Sequence, residues 1–158
     1  MKIIDNYLDK KDFNKLKDIF ISANFPYYFN EYVSKDKEIT GHFYFTHTLY
    51  DNNFSNSQFV NYINPLLNKL NAFALRRIKI NCYPKTENLI THDKHQDYPI
   101  KHKGAIYFLN TCNGGTYIED KFISSIENRI ILFDPSIFHA STNCTNEQAR
   151  FTININYK

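Results

Sequence analysis

From Leu75 onward the hydrophobic period of the chain is two. Residues two apart on an extended chain face the same way, so this alternation marks strands that bury one face. Residues 77–83 form one such segment, stopped by Pro84, and residues 104–110 form a strongly apolar one. Residues 116–119 and 122–126 flank a turn at Asp120-Lys121, and residues 129–133 end at Asp134-Pro135. Residues 137–141 and 150–157 complete the series. Counting residues 89–97, these are about eight short strands joined by turns such as Asn113-Gly114-Gly115, with no helical pattern between them. Such a run signals a sandwich or barrel of jelly-roll type.

The first half reads differently. Asp9 is placed to cap a helix whose stripe is Phe13, Leu16, Ile19 and Phe20, with Asp12 in its first turn. Ser55 is placed to cap a second helix carrying Phe59, Ile63, Leu66, Leu67 and Leu70. Pro65 interrupts it, so either the helix kinks there or Asn64 caps a fresh start. Residues 41–50 alternate and read as a strand; His42 and His47 fall on opposite faces and are expected to be packed or surface histidines. Residues 23–40 read as irregular with one short strand, and Tyr27, Tyr28, Phe29 and Tyr32 suit either a lid or a cover for the core. No linker divides the halves. The expectation is one mainly β (α+β) domain over residues 1–158: a double-stranded β-helix, or jelly roll, in residues 75–158, with helical support and a lid in residues 1–74 and the helices packed outside the sheet.

Composition narrows the function classes. A net charge of +3 without a Lys/Arg block gives no nucleic-acid footprint. No apolar run approaches the ~18 residues of a membrane span, and Met1-Lys2-Ile3-Ile4-Asp5 reaches an acid too early for a signal peptide, so a cytoplasmic location is expected. Cys82, Cys112 and Cys144 are scattered and odd in number, which points to free thiols rather than a zinc site or a disulfide framework.

Chemistry gathers around His95-Gln96-Asp97. On an extended chain His95 and Asp97 face one point, and the distant His139 can complete a set of three ligands. Two imidazoles and a carboxylate with open positions suit a non-heme Fe(II). Arg150 alternates with Phe151, so Arg150, Thr152, Asn154 and Asn156 share one face of the last strand. An arginine on an inner face is costly unless an anion meets it. Its neighbours on that face are neutral, which favours an external carboxylate, matched by the planar guanidinium. A zinc hydrolase built on His92 and His95 lacks the adjacent glutamate such a motif needs.

These residues resemble the iron(II)/2-oxoglutarate-dependent dioxygenases in their prolyl-hydroxylase-like branch, over about Arg77 to Tyr157. The resemblance rests on Asn81-Cys82-Tyr83-Pro84, His95-Gln96-Asp97, Ile106-Tyr107-Phe108-Leu109-Asn110 followed by Gly114-Gly115, and Asn128-Arg129-Ile130-Ile131-Leu132-Phe133. His139 and the segment from Arg150-Phe151-Thr152 to Tyr157 complete it. It implies that His95, Asp97 and His139 ligate Fe(2+), that Arg150 and Thr152 hold the distal carboxylate of 2-oxoglutarate, and that Tyr83 contacts this cosubstrate. Asn156 joins the cosubstrate-binding set, and Asn154 and Asn156 supply groups behind the metal ligands. One departure is Phe108, where some relatives carry a tyrosine that touches the same carboxylate. The implied reaction consumes O2 and 2-oxoglutarate, hydroxylates an unactivated C–H bond and releases succinate and CO2. The substrate would be a peptide, with a prolyl residue as the leading candidate, or a small molecule. Lys85, Lys94, Lys101, His102 and Lys103 would form a solvated rim or favour an acidic substrate. The alternative is a non-catalytic binding module of the same fold. Oligomeric state stays open.

Overall fold

The computed structural model describes residues 1–33 and 42–158. In chain order its strands are β1 (Lys2–Ile4), β2 (Tyr28–Asn30), β3 (Tyr44–Asp51), β4 (Phe54–Ser55), β5 (Leu75–Pro84), β6 (Lys103–Phe108), β7 (Gly115–Ile118), β8 (Lys121–Ser124), β9 (Ile130–Phe133), β10 (His139–Ser141) and β11 (Ala149–Tyr157). Helix α1 (Lys10–Phe20) lies between β1 and β2. Helix α2 (Asn64–Leu70) follows β4 after a 3-10 turn at Gln58–Ile63.

Two antiparallel sheets make a jelly-roll-like sandwich. The larger runs β1-β9-β6-β11-β5-β3-β2, with β4 paired to β3, and the smaller runs β10-β7-β8. Central β11 pairs with both β5 and β6, so its alternation decides what lies on each side. Ile153, Ile155 and Tyr157 turn toward one face, where they join Ile78 and Ile80 of β5, Ala105 and Tyr107 of β6, and Phe13, Leu16, Phe20 and Leu66 of the helices in one buried cluster. Phe13 meets Tyr107 edge-on at 6.4 Å. The other face looks toward the small sheet across Ile106, Phe108, Ile118, Ile123, Ile131 and Phe133.

Helix α1 starts as its cap residue dictates, with the Asp9 carboxylate accepting from Asp12 N at 2.9 Å. The second helical region differs from the expectation. Ser57, not Ser55, accepts from Phe59 N, and the segment forms a 3-10 turn followed by α2, with Pro65 in the first turn of α2. Pro65 has no N–H to continue the earlier hydrogen-bond run, so the chain restarts there instead of kinking. Strand β1 shows no alternation long enough to mark it; it is tied to β9, and Asp5 forms a two-pronged pair with Arg129 at 2.5 and 2.9 Å. Of residues 23–40, Tyr27 covers the core through Phe25 and Phe151. Tyr28 and Phe29 are exposed on edge strand β2. The expected lid over residues 34–40, and Gly41 at the start of the expected strand, lie outside the described residues.

Candidate active site

The segment bearing His95 and Asp97 is not the strand end that its sequence position suggests. Residues 89–97 form no strand, and backbone β-bridges join them to the rest of the described chain only at Thr91 with Thr142 and His95 with His139. The second bridge is a closed pair: His95 N donates to His139 O and His139 N donates to His95 O, both at 2.9 Å. Directly opposed residues of an antiparallel pair project to the same side. This pair therefore stands the two imidazoles together, with ring centroids 4.5 Å apart. Asp97 is positioned by its own N–H, which donates to Pro135 O. Nitrogen and oxygen atoms of His95, Asp97 and His139 that could bind a metal all lie within 4.8 Å of one another.

Each ligand is oriented from behind. Nδ1 of His139 lies 2.9 Å from Ile137 O, and Nδ1 of His95 lies 3.2 Å from Asp93 O. A carbonyl only accepts, so Nδ1 carries the proton in both rings and Nε2 presents its lone pair, the tautomer a metal requires. Nε2 of His139 is buried with no hydrogen-bond partner. Burial, followed by the charge of His139, lowers the pKa of His95 and favours its neutral form. Asp97 Oδ1 pairs with Arg77 Nη2 at 2.6 Å, while Oδ2 accepts from Asn156 Nδ2 at 3.1 Å and Asn154 Nδ2 at 3.3 Å. Burial alone would raise the Asp97 carboxyl, but the Arg77 charge and then His139 and Asn156 override it and hold the pKa at about 2. This donor set, two imidazoles and one ionised carboxylate with an orphaned Nε2, fits a divalent transition metal.

Arg150 lies 1% exposed beside this triad. Its Nη1 donates to Thr142 O at 2.9 Å and its Nη2 to Thr116 Oγ1 at 2.8 Å, while Nε has no partner. Among the described residues no carboxylate pairs with it. Its guanidinium stacks over Tyr83 at 5.1 Å and Phe108 at 5.4 Å. Phe108, which has no hydroxyl to offer, thus occupies the place beside the arginine. Thr152 Oγ1 accepts from Asn81 Nδ2 at 3.1 Å, which leaves its own hydrogen free to donate. Tyr83, His95, His139, Arg150, Thr152 and Asn154 line one cavity of about 30 Å³, and Asn81 Oδ1 is also buried without a partner. An unmatched buried guanidinium costs on the order of several kcal/mol, so the cavity suits a small anion.

Asn156 is placed elsewhere. It opposes Arg77 across the β11–β5 ladder and bonds Asp97, and its Oδ1 accepts from Nε2 of His102 at 2.7 Å. It bonds the candidate ligand Asp97 and does not line the Arg150 cavity. His102 is accordingly drawn inward from the basic rim, whereas Lys94 stays exposed and pairs with Asp120. His92 is not beside the triad; its Nδ1 meets Ser141 Oγ at 2.8 Å and its ring stacks on Tyr83. His47 is a packed histidine, stacked on Phe25 with Nδ1 at Pro26 O.

Arg77 and Lys79 carry no motif, and a strand reading alone leaves them as solvent-facing polar residues. What makes this face of β5 internal is the packing around it: Asn81 and Tyr83 line the Arg150 cavity, and Arg77 and Lys79 line a second, larger one.

A second cavity, about 840 Å³, is also bordered by His95 and includes Tyr44, Arg77, Lys79, Asp97, Tyr98 and Phe138 in its lining.

No protein-family model matches the sequence. No curated protein matches it either. Solved structures do match. A prolyl hydroxylase from Trichoplax adhaerens, in complex with a peptide fragment of the hypoxia-inducible factor oxygen degradation domain, aligns over 99% of this chain and 82% of its own with a TM-score of 0.72 at 15% identity. A 2OG-Fe(II) oxygenase-family oxidoreductase from Burkholderia pseudomallei aligns over 99% and 84%, with a TM-score of 0.66 at 12% identity. The viral collagen prolyl hydroxylase of Paramecium bursaria Chlorella virus-1, in its 2OG complex, aligns over 98% and 93%, with a TM-score of 0.60 at 12% identity. The chain therefore has the fold of the prolyl-hydroxylase-like 2-oxoglutarate oxygenases.

Proposed function

We propose that residues 1–158 work as one Fe(II)- and 2-oxoglutarate-dependent dioxygenase domain that hydroxylates an unactivated C–H bond. The observation that carries this reading is the convergence of His95, His139 and the unmatched Arg150 on one cavity. A metal triad alone serves several chemistries; a buried guanidinium beside it selects a carboxylate ligand within reach of the metal.

His95, Asp97 and His139 would hold the iron. Arg150 would take the distal carboxylate of 2-oxoglutarate, with the Thr152 hydroxyl donating beside it and Tyr83 packed over the chain. Phe108 supplies no hydroxyl there, so Arg150 and Thr152 carry more of the binding. Arg77, Asn154 and Asn156 occupy lone pairs of Asp97, which limits the ways this carboxylate can turn toward the metal. When bound, iron with 2-oxoglutarate and O2 supplies the oxidation, in which one oxygen atom enters succinate as CO2 leaves and the other becomes the substrate hydroxyl. The protein contributes orientation and exclusion of water. The larger cavity, which His95 and Asp97 also line, would receive the substrate, a peptide or amino acid with a prolyl residue as the leading candidate.

The test is succinate and CO2 formation from 2-oxoglutarate in air. It should require added Fe(II), and Asp97→Ala should reduce it to the metal-free background with an unchanged circular dichroism spectrum. Succinate release retained by folded Asp97→Ala would remove Asp97 from the ligand set.

A further inference from the structure

Lys79 is a further inward-facing cation, and it lines the large cavity where Arg150 lines the small one. It sits on central strand β5, facing the space between the sheets, and its ladder neighbours are neutral: Asn154 on β11 and Thr48 on β3. Its ammonium donates to Tyr44 Oη at 3.2 Å and lies 5.4 Å from the centre of that ring. Among the described residues Lys79 forms no ion pair within 4.0 Å. The two carboxylates that line the same cavity are already engaged. Asp97 is taken by Arg77, Asn154 and Asn156. Asp51 opposes Arg77 across the β3–β5 ladder and accepts from Asn52 at both oxygens.

One positive charge is thus left unmatched on the wall of the large cavity. Arg77, its neighbour on the same face, has its carboxylate; Lys79 has a phenol. A partly buried ammonium held only by a neutral oxygen retains part of its desolvation cost, which an incoming anion removes. A carboxylate matches a single ammonium charge for charge, whereas a doubly charged phosphate would exceed it.

We propose that Lys79, with Tyr44, is a specificity-determining site for a carboxylate on the molecule that fills the large cavity, and that under the dioxygenase reading above this molecule is the substrate. The source of the carboxylate is either an acidic side chain of a peptide or the α-carboxylate of a free amino acid; both offer the same group to the same ammonium. Lys79 is not a 2-oxoglutarate anchor, because the cavity of Arg150, Thr152 and Tyr83 is separate and Lys79 does not line it. Burial, and then the neighbouring charge of Arg77, push the Lys79 pKa down, and a bound carboxylate would push it back up.

Fluorescence anisotropy of labelled, end-blocked tripeptide pools, matched so that Asp and Glu replace Asn and Gln, tests this on the full chain without metal. Free amino acids and their carboxamides serve as competitors. Acidic pools should bind about ten- to a hundredfold more tightly than amide pools. Lys79→Met should erase that ratio, and Lys79→Arg should keep most of it. Competition by free amino acids but not by their amides would assign the carboxylate to the α-position, and competition by acidic peptides alone to a side chain. Equal binding of acidic and amide pools by the wild type overturns the proposal. So does a Lys79→Met protein that keeps the ratio; if that protein, loaded with Fe(II) under anaerobic conditions, also binds 2-oxoglutarate more weakly, Lys79 belongs to the cosubstrate site instead. Binding that depends on Lys79 in a protein that makes no succinate would sink the dioxygenase reading and leave this one standing.

Discussion

His92 and Asp97 respond to acid in the same direction for different reasons. Burial, and then the nearby Arg150 charge, keep the His92 imidazole neutral, with its pKa pushed down to about 3. In the unfolded chain the same ring takes a proton near the ordinary 6.5. The unfolded state therefore binds more protons below that value, and stability falls as pH drops from about 6.5 toward 3. By pH 5 the His92 contribution to this loss is about 2 kcal/mol. Asp97 adds to the loss only at lower pH. Its folded pKa of about 2 lies below the ordinary 3.8, so its contribution is complete above 3.8 and disappears as pH falls through about 2. Urea midpoints at pH 7.5 and pH 5 measure the first effect. His92→Gln, which can still reach Ser141 Oγ, should show a shallower pH dependence than the wild type; an unchanged slope would place the buried proton acceptor elsewhere.

At the scale of elements, what the sequence made legible followed one rule: alternation was read correctly wherever it had a long enough run. Strand β11 put Arg150 and Thr152 on one face and Ile153 and Ile155 on the other, as its pattern required. Helix α1 followed from Asp9 and its stripe. Three features were not legible. Residues 89–97 look like a strand but pair only at single bridges, because pairing depends on the edge presented by β10, a residue set far away in the chain. Strand β1 is three residues long and owes its existence to β9. The polar face of β5 gave no sign of being internal, since that depends on segments distant in the chain, such as the one bearing Asp97, packing over it. Gly114 belongs to the same class. It reads as a turn glycine, yet its constraint is packing: a Cβ there would come within 2.0 Å of Asn143 O and 3.0 Å of Arg150 Cδ. Gly114→Ala should cost roughly 1–3 kcal/mol of stability through forced backbone shifts. It should also weaken 2-oxoglutarate binding by displacing Arg150. A chemical denaturation curve and a cosubstrate titration on the same variant check both halves, and normal values in each would show that the Asn143 backbone yields freely.

At the scale of the whole molecule, the helices and the sandwich divide the work. One face of the large sheet is spent on the cluster that includes Phe13, Leu16, Phe20 and Leu66. The opposite face is left to carry polar groups against the small sheet, and there β11 and β5 set out two cationic groups, Arg150 and Lys79, each lining its own cavity beside the candidate triad. No helix among the described residues is long and apolar enough to cross a membrane. The arrangement gives each cavity its own positive charge. The central claim is that the triad and Arg150 form a single site for iron and 2-oxoglutarate. Iron chelated by a 2-keto acid absorbs visible light through metal-to-ligand charge transfer, so an anaerobic titration of the Fe(II)-loaded protein with 2-oxoglutarate reads both partners at once. The expected result is a visible band in the wild type that saturates with 2-oxoglutarate, and an Arg150→Ala protein that needs about ten- to a hundredfold more cosubstrate to reach it. Iron-loaded wild type that gives no band, or an Arg150→Ala titration that coincides with the wild type, would contradict it.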